Sequence, residues 1–386
     1  MRVLLNTTVS ELDRLGGDFT HYRDWLRLSS PGCEFVPVSG DGARRAAVLS
    51  RKVLERACRT WQPVSVRRGL LLLSRLLYVP PVAAGEADLI LSHLHFPWLP
   101  SRSVPIVWSS QGISPAIYYE RYNRGQWTTE DVAFVYRVLG RRATAVMIFT
   151  QSCARNVVTC CPELEEKIWV VPPPVFVDTR ASMPKPSVRD GVIRLLFVGI
   201  DAVRKGLPTV VEAFAAIKAK HPNVELDIVS RPSPELQARI GALNGVRLHL
   251  SSFGVDVKAM MGRADVFVLP TRADTYALAA VEAMAHGCAV VISDLEPLPE
   301  IIPDGEVGFV VPGDDVGALA SKLEVLATES DLLRTLQDQA RRKYSTCHSP
   351  DAVTRRLLPM FEQIAGARWN EKPAYPESVK SAQSAD

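Results

Sequence analysis

The 386-residue sequence predicts an α/β protein of two domains, each a parallel sheet covered by helices. Three observations carry that expectation. Short apolar strand-like runs alternate with helical patterns almost from end to end, the pattern of parallel sheets packed under helices. The alternation is interrupted once, at Pro172-Pro173-Pro174 and the polar stretch through Pro184, Lys185, Pro186 and Ser187. A chain of this length also exceeds one ordinary core and divides into domains of about 150 to 200 residues each.

In the first half the strand-like runs are Val3 to Leu5, Leu89 to Leu91, Ile106 to Trp108, Val146 to Phe149 and Ile168 to Val171. The second half restarts more cleanly, with Leu195 to Val198, Glu225 to Val229, Val246 to Leu250, Val266 to Leu269, Val290 to Ile292 and Phe309 to Val311. Ala352 to Ile364 has the periodicity of a last helix, with Pro359 a candidate kink. The predicted organisation is therefore a Rossmann-like domain over 1–172, a linker over 173–190 and a second Rossmann-like domain over 191–346. A helix over about 350–366 packs back on the first domain, and the polar tail 367–386 is expected to be disordered.

Composition narrows the function classes. With 47% hydrophobic, 23% charged and 7% aromatic residues the chain is rich enough in apolar side chains to bury substantial cores. A net charge of +3 is too mild to argue for nucleic acid. The start, MRVLLNTTVSEL, reads as a first strand and not as a secretory signal. The longest apolar stretch, Gly69 to Ala84, is broken by Arg75 and Pro80-Pro81 and falls short of a membrane span. Seven scattered cysteines fit reduced thiols in a cytoplasm. Between Gly42 and Gly85 stand nine Arg or Lys and one acid, Glu55. That basic stretch, taken as residues 44–77, has two equal readings: an interfacial element touching anionic lipid at the inner face of the cell membrane, or an ordinary amphipathic surface.

The segment from Pro270 to Asp294 carries the chemistry. It reads as strand end, loop, helix, turn and strand, with the helix expected to begin near Tyr276, capped by Thr275 or Asp274, and to stop at Gly287. In an open parallel sheet such a loop lies at the carboxyl edge of a strand, where ligands bind. The N–H groups of Tyr276, Ala277 and Leu278 at the helix start would then face an anion. Asp274 and Glu282 are eight residues apart, roughly 10 Å along a helix. That spacing matches the span from the sugar hydroxyls to the ribose of a nucleoside diphosphate sugar. Taken alone, two acids at this spacing favour a capping residue and a solvated helix residue over a ligand site, by about three to one.

Residues 194 to about 345 resemble the donor-binding domain of glycosyltransferase family 4. The likeness rests on Asp274-Thr275-Tyr276-Ala277-Leu278 through Glu282-Ala283-Met284-Ala285-His286-Gly287, on Phe197-Val198-Gly199 followed by Arg204-Lys205-Gly206, and on the run from Leu298 to Gly313, all in family order. The resemblance implies a GT-B fold, two Rossmann-like domains facing each other across a cleft, and a retaining glycosyltransferase. It implies that Lys205 and Arg204 steady the donor diphosphate, that Asp274 orients the sugar, and that Glu282 holds the ribose. Gly199 and the backbone of Tyr276, Ala277 and Leu278 complete the donor site. The chain departs from the family at Asp274, where Glu is usual, and at Ile200, where an Arg commonly follows Phe-Val-Gly. Arg204 is the candidate replacement for that missing cation.

In the first domain, Gly16-Gly17 after the first strand resembles the family's glycine loop, which leads into a helix expected from Phe19 to about Leu28. Gln111 stands where the family commonly has His, so polar positioning survives there and acid–base work does not. His93 and His95 are expected as loop histidines lining the acceptor side, because their separation of two is poor ligand spacing. No D-x-D motif flanked by apolar strand residues is present, so the sequence requires no metal and no cofactor beyond a UDP- or GDP-linked sugar. The expected reaction moves that sugar to a carbohydrate, lipid-linked or small-molecule hydroxyl in envelope polysaccharide or glycolipid synthesis. The alternative is a catalytically silent nucleotide-sugar-binding subunit, motivated by Ile200 and Ala277. The missing G-x-G-x-x-G disfavours a nicotinamide-dependent oxidoreductase.

Overall fold

The computed structural model describes residues 2–6, 34–37, 64, 68, 87–93, 104–114, 128–177, 191–250 and 256–366. Gly16, Gly17, His95, the helix expected over 19–28, most of the basic stretch 44–77, the linker residues 178–190 and the tail lie outside these. The chain divides into two compact units. One comprises Met1–Ile113, Thr128–Pro172 and Val353–Asp386; the other comprises Ser114–Trp127 and Pro173–Ala352. The chain passes between them at 113/114, 127/128, 172/173 and 352/353.

The first unit holds a six-stranded parallel sheet of β1 (Arg2–Asn6), β2 (Glu34–Pro37), β3 (Leu89–His93), β4 (Ile106–Ser110), β5 (Ala145–Ile148) and β6 (Ile168–Val170). Every residue of β3, β4 and β5 is buried, as expected of strands covered on both faces. Their order is β2-β1-β3-β4-β5-β6, so the winding reverses between β1 and β3, above the ends at Asn6 and His93. Helix α1 (Thr129–Val135) starts with a capping box, in which Thr128 Oγ1 accepts from Asp131 N while Asp131 Oδ2 accepts from Thr128 N. The other carboxyl oxygen of the fully buried Asp131 accepts from Arg68 Nε at 3.1 Å. Helix α2 (Gln151–Cys160) packs over the loop after β4; Gly112, at φ +92°, leaves room there, since a Cβ would stand 2.5 Å from Cys153 Cβ.

The second unit runs β7 (Ile193–Gly199), α3 (Leu207–Lys220), β8 (Val224–Ser230), α4 (Pro234–Gly241), β9 (Val246–His249), α5 (Val257–Arg263), β10 (Val266–Leu269), α6 (Leu278–Ala285), β11 (Ala289–Ser293), α7 (Leu298–Ile301) and β12 (Gly308–Val311). Helices α8 (Val316–Thr328) and α9 (Ser330–Lys343) and a turn at Tyr344–His348 follow; α10 (Pro350–Gly366), which continues through Pro359, belongs from Val353 onward to the first unit. The parallel order β12-β11-β10-β7-β8-β9 is that of a Rossmann sheet. The core is apolar and aromatic, with Phe197, Phe214 and Phe267 fully buried. Because the order reverses between β7 and β10, the crevice for a ligand opens above the ends of those two strands, at Gly199 and Leu269.

Most strands extend one or two residues beyond the apolar runs that predict them. Strands β6 and β9 stop one residue short and β10 matches its run, while β2, Glu-Phe-Val-Pro, is unpredicted, with only two apolar residues ahead of a proline and no periodic pattern. It pairs only with β1, at the edge of the sheet, where proline is tolerated. Among the described residues no helix is long and apolar enough to cross a membrane.

Candidate functional site

Two loops meet at the switch point of the second unit. The first, residues 200–206, leaves β7; the second, residues 270–277, leaves β10. Gly199 closes β7 without a side chain because the stem of Lys205 passes over it: a Cβ at Gly199 would lie 2.7 Å from Lys205 Cβ and 2.8 Å from its Cγ. Gly206, at φ +81°, brings the backbone against the second loop, where a Cβ would stand 2.0 Å from the Pro270 carbonyl oxygen. Hydrogen bonds then lock the loops together. Arg272 N donates to the Arg204 carbonyl at 2.8 Å, and Arg204 Nη1 donates to the Ala273 carbonyl at 2.9 Å. The Thr271 hydroxyl reaches the carbonyls of Arg204 (3.2 Å) and Ala273 (3.1 Å). Beneath them, buried Ser230 donates to the Gly199 carbonyl and buried Ser293 to the Thr271 carbonyl, each at 2.6 Å.

Lys205 and Asp274 form the ionic centre. Lys205 Nζ donates to Asp274 Oδ2, and the two side chains are 18% and 12% exposed. Asp274 Oδ1 accepts the N–H groups of Thr275 (2.8 Å), Tyr276 (3.4 Å) and Ala277 (3.1 Å). Burial by itself pushes the carboxyl up, but the Lys205 ammonium, the Arg204 charge and the Ala277 N–H outweigh it and hold Asp274 below the ordinary aspartate range.

That depression fixes a pH dependence. The folded pKa lies below the unfolded value of about 3.9, so the carboxylate's stabilising contribution is complete above about pH 4 and is lost as pH falls through the folded value. The difference in unfolding midpoint between the wild type and Asp274→Asn is therefore expected to be constant from about pH 5 to pH 8 and to shrink below about pH 4 in denaturant titrations. A difference that already shrank on going from pH 7 to pH 5 would contradict the depressed carboxyl.

Two expectations are corrected here. Helix α6 begins at Leu278, not near Tyr276, and its N-cap is Ala277 at φ 50°, ψ 53°, with no side-chain cap. Asp274 therefore caps the turn before the helix and not the helix itself. In consequence the N–H groups of Tyr276 and Ala277 are already spent on Asp274 Oδ1, and among the described residues no backbone carbonyl outside the helix takes those of Leu278 and Ala279. The donors that an anion at this helix start would meet are therefore those of Leu278 and Ala279 and not those of Tyr276 and Ala277. Glu282 lies within α6, partly exposed, one turn further on.

Arg204 is 24% exposed, and its guanidinium is engaged: Nε with Asp201 Oδ2 at 3.2 Å, Nη1 with the Ala273 carbonyl. Its evident work is to tie the two loops. Ile200, at the position where a cation was expected, is 42% exposed. The buried hydroxyls of Ser230, Thr271 and Ser293 escaped the sequence reading; only Ser293, the lone polar residue closing apolar β11, carries a local signal, since β8 also holds Glu225 and Asp227 and Thr271 lies in the loop beyond β10.

In the first unit, His93 is not a loop residue. It is the last residue of β3, 7% exposed, with Nδ1 2.9 Å from Ser109 Oγ and its ring stacked on Phe149 at 5.5 Å. The strand outlasts the apolar run because Ser92 and His93 pair with Trp108 and Ser109 of β4. Gln111 follows β4 directly and is partly exposed, beside Ser110, whose hydroxyl accepts from the Tyr136 phenol at 2.7 Å. Among the described residues no group of three His, Cys, Asp or Glu could hold a metal ion.

Residues 193–329 match the family model described as Glycosyl transferases group 1. The chain is 29% identical over 300 residues to a phosphatidyl-myo-inositol mannosyltransferase of Mycolicibacterium smegmatis, covering 74% of each. It is 28% identical over 234 residues to an MMP alpha-(1->4)-mannosyltransferase of Mycolicibacterium hassiacum, covering 58% of this chain and 55% of that protein, about half its length. The Anabaena HepE protein, solved in complex with UDP and glucose, superposes with a TM-score of 0.62 over 94% of this chain and 99% of its own, at 16% identity. That likeness gives the architecture: the two units are those of a GT-B fold.

Proposed function

We propose, from the premise that residues 193–329 are a group 1 glycosyl transferase domain, that this chain transfers a sugar from a UDP- or GDP-linked donor to a hydroxyl acceptor with retention at the anomeric carbon. The observation that carries the reading is the Lys205–Asp274 pair beside the open N–H groups of α6, at the switch point of the second sheet. A diphosphate at that point meets an ammonium and a helix start, while a sugar hydroxyl can donate to the ionised Asp274. Glu282, a turn along α6, serves the ribose hydroxyls. The relatives' names favour a mannosyl donor and an envelope glycolipid, so we place the acceptor among lipid-linked or carbohydrate hydroxyls.

In the reaction, the acceptor oxygen forms its bond to the anomeric carbon on the face that the diphosphate leaves. The bond from that carbon to the phosphate oxygen breaks, and the acceptor proton passes to the departing diphosphate. Negative charge gathers on the leaving group, and a fixed cation stabilises that charge more in the transition state than in the bound donor. Lys205 supplies it. The scheme needs no cofactor besides the donor.

A panel of UDP- and GDP-sugars, incubated with the full chain and assayed for nucleoside diphosphate, tests the reading. One donor is expected to release its diphosphate, and Glu282→Ala to abolish that release. The anomeric configuration of the product, read by NMR, decides retention. Donor binding across the panel without release, with or without acceptor, would instead identify a silent nucleotide-sugar-binding subunit.

A further inference from the structure

The turn that presents Asp274 is strained by itself. Ala277 sits at φ 50°, a region that costs an L-residue about 1–2 kcal/mol, and the three N–H bonds to Asp274 Oδ1 are local. Lys205 and Arg204 hold its first half from the other loop, at Asp274 and the Ala273 carbonyl; its second half is held elsewhere. Tyr276, the turn's central residue, is 4% exposed, and its hydroxyl shares a 2.9 Å hydrogen bond with His348 Nδ1, the rings standing edge to face. His348, also 4% exposed, ends the Tyr344–His348 turn, just before the chain leaves this unit at 352/353. Its carbonyl accepts the N–H of Val175 at 3.0 Å, and the Tyr344 phenol donates to the Val175 carbonyl at 2.8 Å. Val175 lies just after the chain enters the unit at 172/173.

One phenol–imidazole bond thus fastens the Asp274 turn to the two ends of the Pro173–Ala352 segment, near Val175 and at His348. We propose that Tyr276 is a positioning residue for the donor sugar, acting through His348: it holds the Asp274 carboxylate in the direction that the sugar hydroxyls require. The inference rests on the donor-site reading above. A buried phenol is costly to leave unbonded, and so is the imidazole nitrogen facing it, so the bond is enforced by its surroundings. The pair is 72 residues apart and its hydrogen bond involves neither Lys205 nor the Asp274 carboxylate, which lets its effect be separated from that of the ion pair.

The test uses four variants of the full chain, with hydrogen exchange of the Thr275, Tyr276 and Ala277 amides and steady-state donor kinetics as readouts. Tyr276→Phe keeps the ring and removes the hydroxyl; it is expected to speed exchange of those amides, and to lower kcat/KM for the donor, each by about fivefold, the effect of one lost hydrogen bond. His348→Leu is expected to do the same, and the double variant to be no worse than either single one. His348→Asn, whose side-chain amide can reach the phenol from the place of Nδ1, is expected to stay near the wild type in both readouts. A purely space-filling Tyr276 would leave exchange and kinetics unchanged in Tyr276→Phe, and independent roles would make the two losses multiply; either result overturns the proposal. If Tyr276→Phe fails to fold, the contrast between His348→Leu and His348→Asn decides. If no donor is turned over even by the wild type, the functional reading fails while the exchange measurements still decide this one.

Discussion

Lys205→Ala is expected to lower nucleoside diphosphate release by about a hundred- to a thousandfold at saturating donor, the usual cost of removing one preorganised group that faces developing charge. No other described cation of the two loops is placed to compensate. Arg204 is spent on Asp201 and the Ala273 carbonyl, and position 200 carries an exposed isoleucine. Arg272 is paired with Asp314 Oδ1 at 2.6 Å. The loss has a second component, because Asp274 remains largely buried once its partner is gone, and burial pushes its carboxyl up. Lys205→Arg keeps the charge, and the passage over Gly199 accepts its aliphatic stem, but a planar guanidinium cannot take the single-point position of an ammonium. Partial recovery is therefore expected from Arg and none from Met. Steady-state release assays measure both, and thermal unfolding checks that the variants are folded. A loss below tenfold in Lys205→Ala would remove this side chain from the chemistry.

The architecture was legible because the two strand periods are written locally. Apolar runs such as Val266 to Leu269 are bounded by polar or turn residues, and a buried parallel strand needs nothing else to be recognised. Glu34–Pro37 was not legible, since edge pairing with β1 and not its own composition makes it a strand. At the site, the collinear order of Gly199, Lys205, Asp274 and Glu282 exposed the residue types. It did not expose how Asp274 spends its oxygens. An aspartate before a helix satisfies the sequence rule for an N-cap, yet here its carboxylate closes a turn three residues long, and Ala277 in the left-handed region starts the helix. Nothing in an alanine announces that conformation. Tyr276 and His348 meet only in three dimensions, so no spacing rule could have joined them.

Gly206→Ala is expected to disrupt the donor site with a single added methyl. At φ +81° an added Cβ carries the left-handed penalty of about 1–2 kcal/mol, and it would also stand 2.0 Å from the Pro270 carbonyl oxygen and 2.8 Å from the carbonyl carbon. Both opposing atoms are backbone, so relief requires the 200–206 and 270–277 loops to separate, breaking the Arg272 N to Arg204 carbonyl bond and unseating Lys205 from Asp274. A destabilisation above about 3 kcal/mol follows, together with loss of donor turnover. Gly191→Ala provides the control, because Gly191 has φ +74° but nothing within 4 Å of the added methyl. It carries the conformational penalty alone and is expected to cost about 1 kcal/mol with turnover intact. Urea unfolding of the two variants beside the wild type separates strain from collision. Equal costs in the two would mean that the loops do not approach each other at Gly206, and the site built on their meeting would have to be abandoned.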